Sequence, residues 1–404
     1  MRFVYVCQHD PWRLDGGALI RNYWFVRGLA ERYRVDLVTA GDPTQSVPAD
    51  FAERCASISR CPAATNIAAR ASRVTGMLRP HASYYSSGVV TDAMRARVRE
   101  LTRERDTVAV VDLRVLDALG ASAVPVLYQA HNAEADHLAR RAEIERSRAL
   151  RAFIRLDAAR LRTIETSLLR RARVIAACSN ADREDLARLA PEARAKTIVA
   201  PNGVDLARYA SVATTRGDGR TVLITGSYDW RPNVAGLDWF IERVMPLLRT
   251  STREGELQVR VAGRMSAALA ARLDATPGMA ASAHPQDMCD ELRRATIVAA
   301  PIRSSSGTRL RILEAWGAGR PVVTTPAGAL GLEYRNGDDL IAVEDPAAFA
   351  AAIIGLMRDA ADRERLREAA LQRARTYAWS AIIERFLDES AALLECRRET
   401  FVCA

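Results

Sequence analysis

The sequence predicts an α/β protein built from two doubly wound, parallel-sheet domains. Three observations predict it. Short Val-rich apolar runs alternate with helical stretches, the alternation comes in two successive sets, and a Pro-Asn-Gly-Val-Asp turn at Pro201–Asp205 separates the sets. Strand–helix alternation implies parallel sheets covered on both faces, because a parallel strand is reached only through a crossover, usually a helix. The 404 residues suit two or three domains, and a hydrophobic content of 49 % is enough for full-sized cores. Aromatic residues are scarce at 6 %, whereas Ala and Arg abound, a bias toward good helix formers.

The first set of buried strands is expected at Arg2–Cys7, Val35–Thr39, Val108–Leu113, Val124–Ala130, Val174–Cys178 and Thr197–Ala200. The second is expected at Thr221–Thr225, Leu257–Ala262, Thr296–Ala300, Pro321–Thr325 and Leu340–Val343. Between them the turn at Pro201–Asp205 leads into a polar stretch ending Arg216-Gly217-Asp218-Gly219, punctuation typical of a boundary. The expected division is therefore 1–203, 204–380 and a C-terminal segment 381–404 beginning with an amphipathic helix near Ser380–Leu394. In open parallel sheets ligands sit at the carboxyl ends of the strands, so a cleft between the two domains is the expected site. Arg140–Arg173 reads as an Arg-loaded, exposed helix pair, with contact to a membrane or an anionic acceptor as its functional alternative.

Several classes are set aside. No apolar run reaches the roughly 18 residues of a membrane span. Met1–Cys7 is a short apolar strand without the basic-then-apolar pattern of a signal peptide. Seven cysteines are scattered without a CxxC, Cys55 and Cys61 being the nearest pair, which reads as reduced thiols in the cytoplasm. The net charge of +9 is diffuse and mostly Arg. No nucleic-acid motif accompanies it, leaving a solvated surface or peripheral contact with an anionic membrane.

Pro301–Thr325 carries the most chemistry: a strand, a small-residue loop Ser304–Thr308, a helix, then a strand. Small residues around Gly307 let backbone N–H groups approach an anion, and the helix that follows points its positive dipole end at the same place. Arg309 and Arg311 add charge suited to phosphate. Glu314, read as about two turns into the helix, is placed to accept hydrogen bonds from a ribose, and Gly317 and Gly319 end the helix.

This segment resembles the donor-site signature of family 4 glycosyltransferases, which have the GT-B fold. The branch reading S-G-T-R-L-K-I-L-E-A is the best match. Other landmarks agree in order: Gly16-Gly17, His131-Asn132-Ala133-Glu134, Cys178-Ser179-Asn180, Pro201–Asp205 and Gly226–Asn233. The resemblance covers about residues 2–395. It implies an N-terminal acceptor-binding domain, a C-terminal nucleotide-sugar domain, and a final helix packed back on the N-terminal domain. It implies that Glu314 binds ribose hydroxyls and that Gly307 and Thr308 cradle the diphosphate. Arg311 stands where the branch has Lys. Gly17 corresponds to a Gly-rich loop near the phosphate and acceptor, and His131 to the histidine at the reaction centre.

Two positions depart from the broad family. Ser306 replaces a glutamate eight residues before Glu314, and Gly226-Ser227 stands where an Arg and a Lys are usual. Arg231 and Arg264 are the candidates to supply that charge. The implied reaction is retaining transfer of a sugar from a nucleoside diphosphate to an acceptor hydroxyl of a glycan, glycolipid or small molecule, as in bacterial surface polysaccharide or glycoconjugate synthesis. No cofactor and no metal is implied: the sequence holds no Asp-x-Asp pair in a supporting context, and a helix N-terminus with Arg can stabilise a leaving diphosphate. The rivals are a nucleotide-sugar epimerase on the same fold and a non-catalytic binding protein. A nicotinamide oxidoreductase is disfavoured because Cys7–Trp12 follows the first strand where G-x-G-x-x-G belongs. His9 and His284 are weaker site candidates, and His81 and His137 receive no role.

Overall fold

The structure is a computed structural model describing residues 1–14, 16–42, 44–63, 67, 71, 75, 82–145, 147–253, 255–303 and 309–395. It divides into two compact units, Met1–Pro201 together with the segment from Ile382, and Asn202–Ala381.

The first unit holds a seven-stranded sheet in the order β3-β2-β1-β4-β5-β6-β7. Its strands are β1 (Arg2–Cys7), β2 (Arg34–Ala40), β3 (Ser57–Cys61), β4 (Thr107–Val111), β5 (Val126–Ala130), β6 (Val174–Ala177) and β7 (Thr197–Val199). All pairings are parallel. The six expected strands form within a few residues of their predicted bounds. β3 was missed. It is an edge strand, Ser-Ile-Ser-Arg-Cys, half-exposed along most of its length, so no apolar run marks it.

The second unit holds a six-stranded sheet in the order β10-β9-β8-β11-β12-β13. Its strands are β8 (Thr221–Ser227), β9 (Gln258–Arg264), β10 (Met279–Ala283), β11 (Ile297–Ala300), β12 (Val322–Thr324) and β13 (Ile341–Ala342), again all parallel. The missed strand is once more an edge, β10, whose Met-Ala-Ala-Ser-Ala lacks β-branched residues.

Central strands are buried throughout, as β1 and β4 show, because helices cover both faces. The Arg140–Arg173 stretch resolves into two helices, Glu134–Ile144 and Arg148–Arg171. The last helix, Trp379–Glu395, buries Ile382, Ile383, Phe386 and Leu387, and sets Ile383 and Phe386 against the helix Gly17–Arg32 of the first unit. Phe25 and Phe386 stack edge-on at 5.0 Å between ring centroids, and a Cβ on Gly28 would lie 2.1 Å from Ile383. The five described cysteines are buried free thiols.

Candidate functional site

Each sheet reverses its winding once, between β1 and β4 in the first unit and between β8 and β11 in the second. At such a switch point the neighbouring crossovers diverge and leave a crevice beyond the strand ends. The segments singled out in the sequence lie at or next to these two points.

In the second unit, β8 ends at Gly226 and Ser227, and the helix Arg231–Trp239 follows. β11 leads through Pro301 to the helix Leu310–Gly317. The two connections pack backbone to backbone, since a Cβ on Gly236 would lie 2.0 Å from the Pro301 carbonyl oxygen. Beside them Gly263, with φ +137° and its Cβ position 1.8 Å from the Gly226 carbonyl oxygen, can only be glycine.

Among the described residues the two helix N-termini at this point carry no side-chain cap: their N-cap residues are Trp230 and Arg309. Elsewhere in the unit Asp205, Ser266, Asp287, Thr325, Asp345 and Asp359 cap their helices. Uncapped N–H groups and the dipole of the helix leave the N-terminus of Leu310–Gly317 suited to an anion.

Arg311 and Glu314 stand half-buried on this helix. The Arg311 guanidinium donates to the Asn233 Oδ1 at 2.8 Å, and its other arm lies near Gly226. Burial lowers the Arg311 pKa, while Tyr228 and Glu314 act against that fall. Burial raises the pKa of Glu314, and a hydrogen bond from Tyr209 and the charges of Arg208 and Arg311 oppose the rise. Glu314 lies one turn into the helix, not two, because the helix opens only at Leu310.

Ser306, Gly307 and Thr308 lie outside the described residues. Arg231 is exposed at the first position of its helix. Arg264 is exposed as well and its charge is engaged, with Asp229 at 2.5 Å and the Ser227 hydroxyl at 2.9 Å. Sequence reasoning overlooked Tyr209, Arg208 and Asn233 as partners of the site. Asn233 was within the quoted Gly226–Asn233 motif, whereas nothing local marks Tyr209.

In the first unit, Gly17 opens the helix Gly17–Arg32 that follows β1. His131 directly follows β5, and Asp112 directly follows β4. The His131 Nε2 lies 3.7 Å from the Asp112 Oδ2, too far for a hydrogen bond but within ion-pair range for a protonated ring. That nitrogen is buried without a hydrogen-bond partner among the described residues. Asp112 is itself held by the backbone N–H groups of Arg114 and Val115, at 2.8 and 3.2 Å. It was missed although it carries the same mark as His131, a polar residue ending an apolar strand.

The loop carrying His131 is fastened from below. Glu165, fully buried on the helix Arg148–Arg171, accepts the N–H groups of Glu134 at 3.0 Å and Ala135 at 2.9 Å. Tyr128, on β5, donates its hydroxyl to the same carboxylate at 3.0 Å. Burial lifts the Glu165 pKa to about 7 despite the two backbone donors, which favour the charged form. Tyr85 donates to Glu134 at 2.7 Å, and the Arg114 guanidinium stacks 4.2 Å from the Tyr85 ring centroid. The His284 Nε2 donates to the Met265 carbonyl, 3.0 Å away. Among the described residues no cluster of His, Cys, Asp or Glu is arranged to hold a metal ion, and no helix is long and apolar enough to cross a membrane.

Comparison with known proteins agrees with this geometry. Residues 15–208 match the family described as Glycosyltransferase Family 4, and residues 219–359 match that described as Glycosyl transferases group 1. A D-inositol 3-phosphate glycosyltransferase of Catenulispora acidiphila is 38 % identical over 106 residues, 26 % of this chain and 25 % of that protein. A phosphatidyl-myo-inositol mannosyltransferase of Mycolicibacterium smegmatis is 29 % identical over 203 residues, 45 % of this chain and 48 % of that protein. The matches thus span a quarter to a half of these relatives. Sucrose-phosphate synthase from Thermosynechococcus elongatus superposes with a TM-score of 0.70 at 16 % identity, covering 98 % of this chain and 100 % of its own. With two parallel-sheet units and family matches along both halves, the chain belongs to the family 4 glycosyltransferases of GT-B fold.

Proposed function

We propose that the protein transfers a glycosyl group from a nucleoside-diphosphate sugar to an acceptor hydroxyl, with retention of configuration and without a metal ion. The observation that carries the reading is the group at the β8/β11 switch point. It combines a helix N-terminus without a side-chain cap among the described residues, Arg311 steadied by Asn233, and Glu314 hydrogen-bonded by Tyr209. Ribose hydroxyls suit a carboxylate with acceptor capacity to spare, and a diphosphate suits the N–H groups and the guanidinium. Charge developing on the leaving diphosphate is then stabilised by groups already in place. Ser306, Gly307, Thr308, Gly226 and Gly17 are assigned to the donor by their place in the family pattern. Arg231 is kept as a donor-side cation, and Arg264 takes that part only by exchanging Asp229 for phosphate.

His131 is assigned to the transferred sugar, with Asp112 beside it as a counter-charge for a protonated ring. Its Nε2, which has no hydrogen-bond partner among the described residues, is the atom proposed to meet a sugar hydroxyl. We further propose an acceptor in a surface polysaccharide, glycolipid or other glycoconjugate, reached from the cytoplasmic side. Support for a lipid-linked acceptor is the M. smegmatis relative's name and the helix Arg148–Arg171, which exposes Leu150 and Leu156 among its arginines.

The test is a panel of nucleotide sugars screened by thermal shift, followed by turnover with the best binder. His131→Ala is expected to lower turnover at least tenfold with donor affinity nearly unchanged, and activity is expected to survive a chelator. Wild-type turnover in His131→Ala would remove the assignment. Loss of activity on chelation would remove the metal-free mechanism.

A further inference from the structure

The amino ends of β8, β11 and β12 meet in a second pocket of about 270 Å³, lined by Gly217, Thr296 and Pro321 just ahead of those strands. Its polar wall is unbalanced: Arg216, Arg320, Arg363 and Arg367 face it, against the single carboxylate of Glu364. That carboxylate is divided between Arg216, at 2.7 Å, and Arg367, also at 2.7 Å. Arg320 and Arg363 form no ion pair among the described residues.

Backbone carbonyls hold each of these arginines in place. Arg320, 1 % exposed, donates to the carbonyls of Leu292 at 2.7 Å and Thr215 at 2.8 Å. Arg363 donates through Nη1 to Leu356 at 2.6 Å and Met357 at 2.8 Å, and Arg367 through Nη1 to Ala213 at 3.1 Å. A guanidinium carries five N–H groups, so Arg363 and Arg367 keep donors beyond those used here. Burial, together with the nearby charges of Arg367, Arg216 and Arg293, pulls the Arg320 pKa down to about 10. Cations held together in this way repel one another, and a bound anion relieves the repulsion.

We propose that this pocket is a second anion site, for a compact phosphate-bearing ligand, at the opposite end of the C-terminal sheet from Glu314. Planar forks anchored at fixed positions match the oxygens of a phosphate, and the volume suits a phosphate, a diphosphate or a small phosphate monoester. The site is separate from the proposed donor pocket and stands whether or not that reading holds. Two helices connect the two ends. Leu206–Ala213 carries Tyr209 near one end and the Ala213 carbonyl that receives Arg367 at the other, and Leu310–Gly317 runs from Arg311 to the turn before Arg320.

The experiment uses inorganic diphosphate as probe, read by thermal shift at constant ionic strength set with chloride. Wild type and Arg311→Ala are expected to gain about 2–4 °C at saturation. Adding Arg216→Ala/Arg363→Gln to Arg311→Ala is expected to remove that gain while keeping the far-UV circular dichroism of the Arg311→Ala parent. Arg216→Ala alone, a change at a half-exposed side chain, is expected to weaken binding of the probe at least threefold and serves if the combined variant does not fold. The proposal is overturned if diphosphate shifts neither wild type nor Arg311→Ala. A gain that vanishes in Arg311→Ala but persists in the pocket variants overturns it equally, since the anion then binds at the donor segment.

Discussion

Two glutamates, Glu165 fully buried in the first unit and Glu314 half-buried in the second, differ in how many hydrogen-bond donors they meet among the described residues. Glu165 is filled from three sides by the N–H groups of Glu134 and Ala135 and the hydroxyl of Tyr128. Glu314 has Tyr209 and the more distant charges of Arg208 and Arg311. A carboxylate whose acceptor positions are taken up by the protein holds the fold. One left with spare acceptor capacity is costly to bury unless something else arrives to use it. The same contrast separates Asp112, bonded to two backbone N–H groups, from the His131 Nε2 beside it, which has no hydrogen-bond partner among the described residues.

The largest effect should come from emptying the satisfied site. Glu165→Ala leaves two backbone donors and a tyrosine hydroxyl unpaired in the core, and should cost about 3–5 kcal/mol of stability in urea unfolding. A loss below about 1 kcal/mol would make the two glutamates alike and break the comparison.

Next in size is the unsatisfied site. Glu314→Ala should weaken donor binding about 10–100-fold, the worth of hydrogen bonds to a charged group, while changing stability by less than about 1 kcal/mol. Arg311→Ala should cost more activity than Arg311→Lys, because lysine keeps the charge and loses only the fork that meets Asn233. Calorimetric titration of the nucleotide sugar against each variant checks both.

The smallest effect is in pH. The folded-state pKa of Glu165, about 7, lies above its ordinary carboxyl value of 4.5, so the folded protein binds the extra proton more tightly. Its contribution to stability is therefore fully present below about pH 4.5 and is lost as pH rises through about 7, with a slope of at most about 1.4 kcal/mol per pH unit. The difference in unfolding free energy between wild type and Glu165→Gln should decline across that window and stay level above it. A difference independent of pH would mean that Glu165 keeps its charge throughout.

Much of this was legible in the sequence, and what was not has physical reasons. Val-rich strands such as β1 and β4 declare themselves because both faces are buried. Edge strands β3 and β10 do not, since Ser, Arg and Ala suffice where one side meets solvent. Arg311 and Glu314 were legible because one short segment carries them together. Tyr209 comes from a helix about a hundred residues earlier, and only folding brings it to Glu314. Glu165 was hidden by its neighbours: among the arginines of Arg148–Arg171 a carboxylate reads as part of a solvated face, and the residue is instead fully buried.

The helix Trp379–Glu395 has a consequence for how the protein is made. Its apolar face covers Phe25 and Gly28, and the whole of the second unit is synthesised between those residues and the helix. During elongation the helix Gly17–Arg32 therefore keeps an oily strip open to the surroundings while some 180 residues of another unit emerge and fold. That strip is closed only once Ile383 and Phe386 have been made and pack onto it.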